Sequence, residues 1–500
     1  MTENKRLFLL GSLVPLFLIS SVWNTYTFLL FSSSISVCVY LLCLIAIVIN
    51  KQYYRYLLIS GLFSGFWISL GFIQSFSSGN FSFLSNDEFA AIFYNSSIKI
   101  TPGLFSLAVA YMCTYVFVLN FISNFNIVRR AEYRFDGYLK IILKSLPSSY
   151  LRLGLFAFSL ILTYISLSGL FVVRGFAGKE SSSGLPWWFV FGNLAIGLVP
   201  ILIGLVISRS RHNLKINFFD KLITFYTFAI GVYFSVLQGR KSLYTFFISS
   251  LFAWLLIERP NITLSRSFIF KILFAISSFL ILLPFVFKTF AYVNVLRSAN
   301  FAVNPASLLT NYLSFISTES VLSAALEKTT QNLVSRPLVL KPLAQVIHMY
   351  LEGTYQGLIG FQDLINSFLN SLPSFIFPFK SSLILQENLL YRYFPVGNTD
   401  TADSPFLFSF ASFGVLGLII YPSAMALMYT FCFNYVGLVN KCPWPHYVVS
   451  IYLLFVASQA LYISIRSFAE IATTGLYRIV TVVMILGLPL VLSRRSRFVV

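Results

Sequence analysis

The chain has 500 residues, of which 57% are hydrophobic, 18% are aromatic and only 10% are charged. A typical soluble domain carries about 25% charged residues, and a mean hydropathy of +0.81 also indicates a membrane protein. This composition excludes a soluble globular enzyme, a disordered chain, collagen and a coiled coil. The net charge of +19 does not indicate a nucleic-acid partner, because the basic residues are sorted by the predicted side of the membrane.

Twelve apolar runs follow one another along the chain, and each approaches the roughly 20 residues that a transmembrane helix needs. They occupy residues 7–23, 28–49, 56–76, 101–123, 151–173, 187–207, 221–237, 242–257, 268–290, 405–433, 447–465 and 474–492. We therefore predict an all-α polytopic membrane protein with about twelve transmembrane helices. Residues 1–290 would hold helices 1–9, and residues 405–500 would hold helices 10–12 and a tail.

The basic residues predict the orientation of these helices. If Lys5 and Arg6 lie in the cytoplasm, the connections on that side carry most of the net positive charge, including the tail residues Arg494, Arg495 and Arg497. Cytoplasmic loops of membrane proteins have an excess of Lys and Arg. A single missed helix would invert every later connection, so the agreement supports twelve spans with both termini in the cytoplasm.

One external connection, residues 291–404, is much longer than the others. Apolar residues recur at intervals of three and four in 308–316 and again in 359–369, which is typical of amphipathic helices. Prolines interrupt the segment at several points. We expect a large loop of amphipathic helices that lies on the outer face of the bundle, between transmembrane helices 9 and 10.

Several external cations lie at the ends of the apolar runs. These are Arg174, Arg240, Lys241, Arg466 and Arg478. A cation at the end of a membrane span has lost part of its water and favours an anion. The guanidinium group matches the geometry of phosphate oxygens. The pattern predicts a pocket for an anionic lipid headgroup. The alternative is that each cation reaches separate phospholipid phosphates or pairs with an acid, as the spacing of Arg466 and Glu470 allows.

Three residues are candidates for a proton acceptor, namely Asp403, His348 and Glu470. Asp403 lies at the membrane boundary, where it could equally cap a helix. His348 is the only external histidine, and a lone histidine is more often packed or solvated than catalytic. If these residues do not act, Glu352 and Asp363 are the next candidates.

The sequence also offers candidates for sugar binding and bears on the need for a cofactor. Arg336, Arg392 and Tyr393 in the long loop are candidates for sugar binding, although aromatic residues at this level often anchor a protein in the membrane interface. The chain has no His-Glu-x-x-His motif, no Asp-x-Asp in the long loop and no phosphate-binding Gly-rich loop with Lys. We therefore predict a reaction without metal, nucleotide or other cofactor.

The chain resembles the Wzy oligosaccharide repeat-unit polymerases, including the enterobacterial common antigen polymerases. The motifs that carry the resemblance are GLFVVR at 169–174, GR at 239–240, QGL at 356–358, LPSFIFP at 372–378, SP at 404–405, FGVLG at 413–417, and Arg466 followed by Arg478. They occur in the order of the family within residues 169–480. The chain departs from the Arg-x10-Gly pattern of some O-antigen polymerases, because only nine residues separate Arg174 from Gly184.

The resemblance implies a bundle similar to the GT-C glycosyltransferases in the bacterial inner membrane. It implies a polymerase that joins undecaprenyl-diphosphate-linked oligosaccharides on the periplasmic face, with membrane lipids around it and a chain-length-regulating co-polymerase as a further partner. An O-antigen ligase uses the same donor and has a similar architecture. A flippase for the same lipid-linked unit would suit twelve spans, but it does not explain the long loop.

Overall fold

The computed structural model describes residues 3–77, 101–145, 218–238, 305–334, 340–371, 386–394 and 405–439, with short pieces and single positions between 155 and 383. Every regular element in these residues is an α-helix, apart from short 3-10 turns. The predicted all-α class is therefore confirmed for the part of the chain that is described.

The described helices are numbered here in chain order. They are α1 (Glu3–Trp23), α2 (Tyr26–Ile49), α3 (Tyr56–Ser77), α4 (Pro102–Ile122), α5 (Asn126–Ser145), α6 (Phe218–Gln238), α7 (Pro305–Ser317), α8 (Glu319–Val334), α9 (Leu340–Glu352), α10 (Gln362–Ser371), α11 (Gln386–Tyr393), α12 (Pro405–Phe413) and α13 (Gly417–Val439). The segment predicted as a large external loop thus contains α7 to α11.

Four stretches are long and apolar enough to cross a membrane. By length and composition alone they are Glu3–Trp23, Tyr26–Ile49, Pro102–Ile122 and Pro405–Leu427, and the last of these changes direction within its length. Each begins or ends within a few residues of a predicted apolar run, so the described residues indicate a helical membrane protein. The spans predicted after residue 440 lie outside the described residues.

The chain divides into two compact units. The first contains Met1–Tyr138, Val334–Val439 and Ala460–Val480, and the second contains Leu139–Leu333, Asn440–Gln459 and Thr481–Val500. Within the second unit, the ring of Tyr292 lies 5.2 Å from that of Tyr312 and 5.3 Å from that of Phe315. These contacts join α7 to the segment before it.

In the first unit, α1 to α4 pack as neighbouring antiparallel helices. A Cβ at Gly11 would lie 3.1 Å from the ring of Phe117, so α1 and α4 are in close contact. The amide of Gly103, at the start of α4, donates a 2.7 Å hydrogen bond to Asn24, which follows the end of α1. Antiparallel packing with short connections is the common arrangement of helix bundles.

The other ends of these helices hold a buried charge cluster. The guanidinium group of Arg55 is fully buried and pairs with the carboxylate of Glu3, and its Nε lies 3.4 Å from Oε2 of Glu132. It also donates 2.9 Å hydrogen bonds to the Ser123 carbonyl and the Asn124 side chain. Buried charges are unfavourable unless they are paired and hydrogen-bonded, and this cluster supplies Arg55 with partners from three segments.

The chain reverses direction between α12 and α13. The ring of Tyr115 lies 5.1 Å from that of Phe406, and its hydroxyl group donates to Sδ of Met425 at 3.1 Å. In one straight helix these two residues would be about 28 Å apart, so α12 and α13 form a helical hairpin. The single span predicted over 405–433 is therefore divided, and α13 alone has the length of a full crossing.

Two glycines permit this reversal. Gly414 has a φ of 56°, which favours residues without a Cβ. It starts the 3-10 turn Gly414–Leu416 at the tip of the hairpin. A side chain at Gly417 would collide with the carbonyl group of Ser409, so the two arms approach each other more closely than any other residue would allow.

Candidate functional site

The connection that follows α9 is folded onto the tip of the helical hairpin. The amide of Ile359 donates to the carbonyl of Ala411 at 3.1 Å, and the amide of Gly360 donates to the carbonyl of Ser412 at 2.9 Å. These carbonyls belong to the last turn of α12, where backbone carbonyls lack partners within the helix. The connection between α9 and α10 therefore caps α12, and it brings α10 against the hairpin.

A carboxyl group is buried at this junction. Asp363, in the first turn of α10, is 1% exposed, and its Oδ2 accepts a 3.0 Å hydrogen bond from the Tyr421 hydroxyl group. That hydroxyl group lies 3.3 Å from Oγ of Ser412. Asp363, Tyr421 and Ser412, which we call the hairpin cluster, join α10 to both arms of the hairpin.

Burial changes the acidity of Asp363. Desolvation disfavours its charged form and raises the pKa of the carboxyl group to about 6, while the hydrogen bond from Tyr421 opposes part of the shift. A carboxyl group with that pKa changes its charge close to neutral pH. Perturbed acids of this kind occur both at functional sites and in structural networks.

His348 has a carboxylate partner on the same helix. Its Nε2 lies 3.2 Å from Oε1 of Glu352, one helical turn later in α9, and the two side chains are 23% and 54% exposed. A carboxylate in this position can orient an imidazole, and a base that is oriented by a third group is typical of catalytic arrangements. Of the three predicted proton acceptors, His348 is the one that the structure describes.

A row of aromatic rings connects α9 to the hairpin. The ring of Tyr350 lies 5.3 Å from that of Phe410 in α12, and it also lies 5.3 Å from Tyr355. Tyr355 stacks on the buried Phe394 at 5.5 Å with an angle of 8°. These rings fix α9 over the hairpin, so the His348–Glu352 pair has a rigid support.

The predicted sugar-binding residues of α11 have different environments. The hydroxyl group of Tyr393 donates to Gln362 at 3.1 Å, and its carbonyl accepts from the amide of Gln356 at 2.8 Å. Tyr393 therefore links α11 to α10 and to the QGL motif. Arg392 is in the last turn of α11 and is exposed, where it is open to a polar partner.

Most of the predicted site lies outside the described residues. This applies to two predicted proton acceptors, one predicted sugar contact and all five cations of the predicted diphosphate pocket, namely Asp403, Glu470, Arg336, Arg174, Arg240, Lys241, Arg466 and Arg478. Their roles therefore stay predictions.

Among the described ranges, no three His, Cys, Asp or Glu side chains lie close enough together to hold a metal ion. The His348–Glu352 pair offers two ligands, which is fewer than the three protein ligands of a typical catalytic zinc site.

Sequence reasoning missed the two pairings that define this site. The interval of four residues between His348 and Glu352 was an available signal, because such residues share a helix face. No local signal joins Asp363 to Tyr421, which lies 58 positions later in the chain. Ser412 and Tyr421 lie in an apolar run, where the sequence does not distinguish them from other residues of a membrane helix.

Comparisons of the chain with protein-family models, with curated proteins and with solved structures found no match. The resemblance to the Wzy polymerases therefore rests on the motifs quoted above.

Proposed function

We propose that the chain is a polysaccharide polymerase that joins undecaprenyl-diphosphate-linked oligosaccharide units on the periplasmic face of the bacterial inner membrane. The observation that carries the proposal is the His348–Glu352 pair. It is a partly exposed acid–base pair on a helix of the long segment that the charge pattern predicts to be external. The family motifs and the predicted arginines at the same membrane level support the same reaction.

The reaction needs one proton acceptor and one stabilised leaving group. The acceptor hydroxyl group attacks the anomeric carbon of the donor, and the bond from that carbon to the diphosphate oxygen breaks. The leaving diphosphate keeps the electron pair, and the hydroxyl proton passes to Nδ1 of His348, because Nε2 faces Glu352. Glu352 stabilises the imidazolium ion that forms.

The predicted arginines have the complementary role. Arg174, Arg240, Arg466 and Arg478 would stabilise the charge that develops on the departing diphosphate, since cations placed at a developing charge lower the barrier. Lys241 adjoins Arg240 and would contribute to the same pocket. Asp403 and Glu470 remain alternative proton acceptors in this proposal.

Variants of the acid–base pair test the proposal. Purified protein in proteoliposomes is given lipid-linked repeat units, and chain lengthening is followed over time. His348→Asn should lower the rate by about 10²–10⁴, the usual contribution of general base catalysis. Glu352→Gln should give a smaller loss and shift the pH profile of the rate.

A matched control separates catalysis from folding. Glu319→Gln replaces an acid by an amide, as Glu352→Gln does, but at an exposed position in the first turn of α8. It should leave the rate unchanged. Normal lengthening by His348→Asn would exclude His348 as the base and direct the search to Asp403 and Glu470.

A further inference from the structure

The inference concerns α5 and is independent of the proposed function. Its acidic and basic residues are sorted to opposite faces. Glu132 and Asp136 are 0% and 2% exposed, whereas Arg130 and Arg134 are exposed. No hydrogen bond or ion pair to either arginine is found among the described residues. The charged side chains on the free face of α5 are therefore all cationic in this part of the helix.

Contacts on the buried face fix the rotation of α5. Oε1 of Glu132 accepts a 2.9 Å hydrogen bond from the amide of Leu57, and Oε2 lies 3.4 Å from Arg55. The ring of Phe135 stacks on that of Phe433 at 4.6 Å. Turning Arg130 or Arg134 inward would break all of these contacts, so both arginines stay on the surface.

The cationic face continues the apolar surface of α4. Phe121, near the end of that candidate span, is 50% exposed, and so is Phe125, while Ile127 is 71% exposed. The rings of Phe121 and Phe125 lie 5.5 Å apart. A bilayer that covers Phe121 reaches Phe125 and Ile127 as well.

Arg130 and Arg134 come next on the same helix face. They follow Ile127 by three and seven residues, which places all three side chains along one side of α5. In a bilayer, the phosphate headgroups lie next to the apolar region. They would therefore face the arginines that follow the exposed apolar residues. A lipid surface explains both the exposed apolar residues and the arginines, whereas an acidic soluble protein would explain only the arginines.

We propose that Arg130 and Arg134 on the exposed face of α5 bind the headgroups of anionic phospholipids. The guanidinium group pairs with two phosphate oxygens at once, and anionic leaflets attract juxtamembrane arginines. Arg129 contributes less, because it lies 3.5 Å from Glu3 and is partly neutralised.

Hydrogen exchange of α5 tests this binding. The full chain is placed in nanodiscs of phosphatidylcholine with increasing fractions of phosphatidylglycerol, and exchange is followed in the peptide that covers 126–138. Phosphatidylglycerol should slow exchange there, and salt should weaken the effect. The double variant Arg130→Gln/Arg134→Gln should lose most of the protection, since each arginine contributes about fivefold in affinity.

A charge-matched control is Lys51→Gln/Lys221→Gln, which removes two exposed cations that are not part of α5. It should keep the full response to phosphatidylglycerol, and both double variants should unfold at the same temperature in phosphatidylcholine. Three results would overturn the proposal: equal exchange in both lipids, equal loss in the control, or the same protection by inorganic phosphate in phosphatidylcholine alone.

Discussion

The hydroxyl group of Tyr421 donates a 3.0 Å hydrogen bond to Oδ2 of Asp363. The bond joins α10 to the second arm of the hairpin, next to Ser412 in the first arm. Because both partners are buried, α10 and the hairpin are expected to unfold together rather than separately.

Removing the donor should weaken this junction. Tyr421→Phe keeps the ring but leaves the buried carboxyl group without that hydrogen bond, which should lower the free energy of unfolding by about 1–3 kcal/mol. Thermal unfolding of the purified chain measures the change. Tyr133→Phe removes a hydroxyl group from a side chain that is 67% exposed, and it should have no effect. Equal stability of the two variants would mean that the hydrogen bond contributes nothing.

Asp363 should make stability depend on pH. Burial raises its pKa from 3.8 to about 6 in the folded chain, so the folded state binds the proton more tightly than the unfolded state does. The resulting stabilisation is complete below pH 4 and is lost as the pH rises through 6, with an amplitude of about 1–3 kcal/mol.

Asp363→Asn should remove this component. The difference in unfolding temperature between the wild type and the variant, measured from pH 4 to pH 7.5, isolates it from all other titrating groups. A difference that stays constant across this range would show that Asp363 does not titrate there.

The reversal at Gly414 should be sensitive to a side chain. Gly414→Ala forces a Cβ onto a residue with a φ of 56° and should cost about 1–2 kcal/mol. The space itself is adequate, because the nearest atoms, those of Tyr350, are 3.5 Å from the added carbon. Gly137→Ala in α5 meets no atom within 4 Å and should be neutral or stabilising, since Ala favours helices. The opposite order of the two unfolding temperatures would contradict the hairpin.

The sequence predicted the positions of the first four helices better than the path of the chain after residue 405. The runs 7–23, 28–49, 56–76 and 101–123 match α1 to α4 closely, because the length of an apolar run is itself the signal for a membrane helix. The run 405–433 has the same composition but folds as a hairpin, since apolar residues continue through the turn and only Gly414 marks it.

The candidate site was less accessible from sequence. Charge patterns did not show that Arg55 is fully buried and paired with Glu3 and Glu132. Hydropathy cannot show such burial, because it depends on partners that other helices supply. The hairpin cluster could not be predicted for the same reason, because its members come from segments far apart in the chain.

The four predicted arginines provide a test of the proposed pocket. If Arg174, Arg240, Arg466 and Arg478 bind one diphosphate, Arg→Lys at each should lower the rate by about 10²–10³, because an ammonium group cannot reproduce the paired hydrogen bonds. Turnover is measured at matched expression. Near-normal rates in three of the four variants would favour separate contacts with phospholipid phosphates.

The most direct test of the proposed function is polymerisation by the purified chain. Undecaprenyl-diphosphate-linked repeat units are incubated with proteoliposomes in EDTA and without nucleotide, and the products are separated by length. The account predicts a ladder of lipid-linked chains that differ by one repeat unit, together with released undecaprenyl diphosphate. Transfer of a chain to a lipid A core without lengthening, movement of the substrate across the bilayer without new bonds, or a strict requirement for a divalent metal would contradict it.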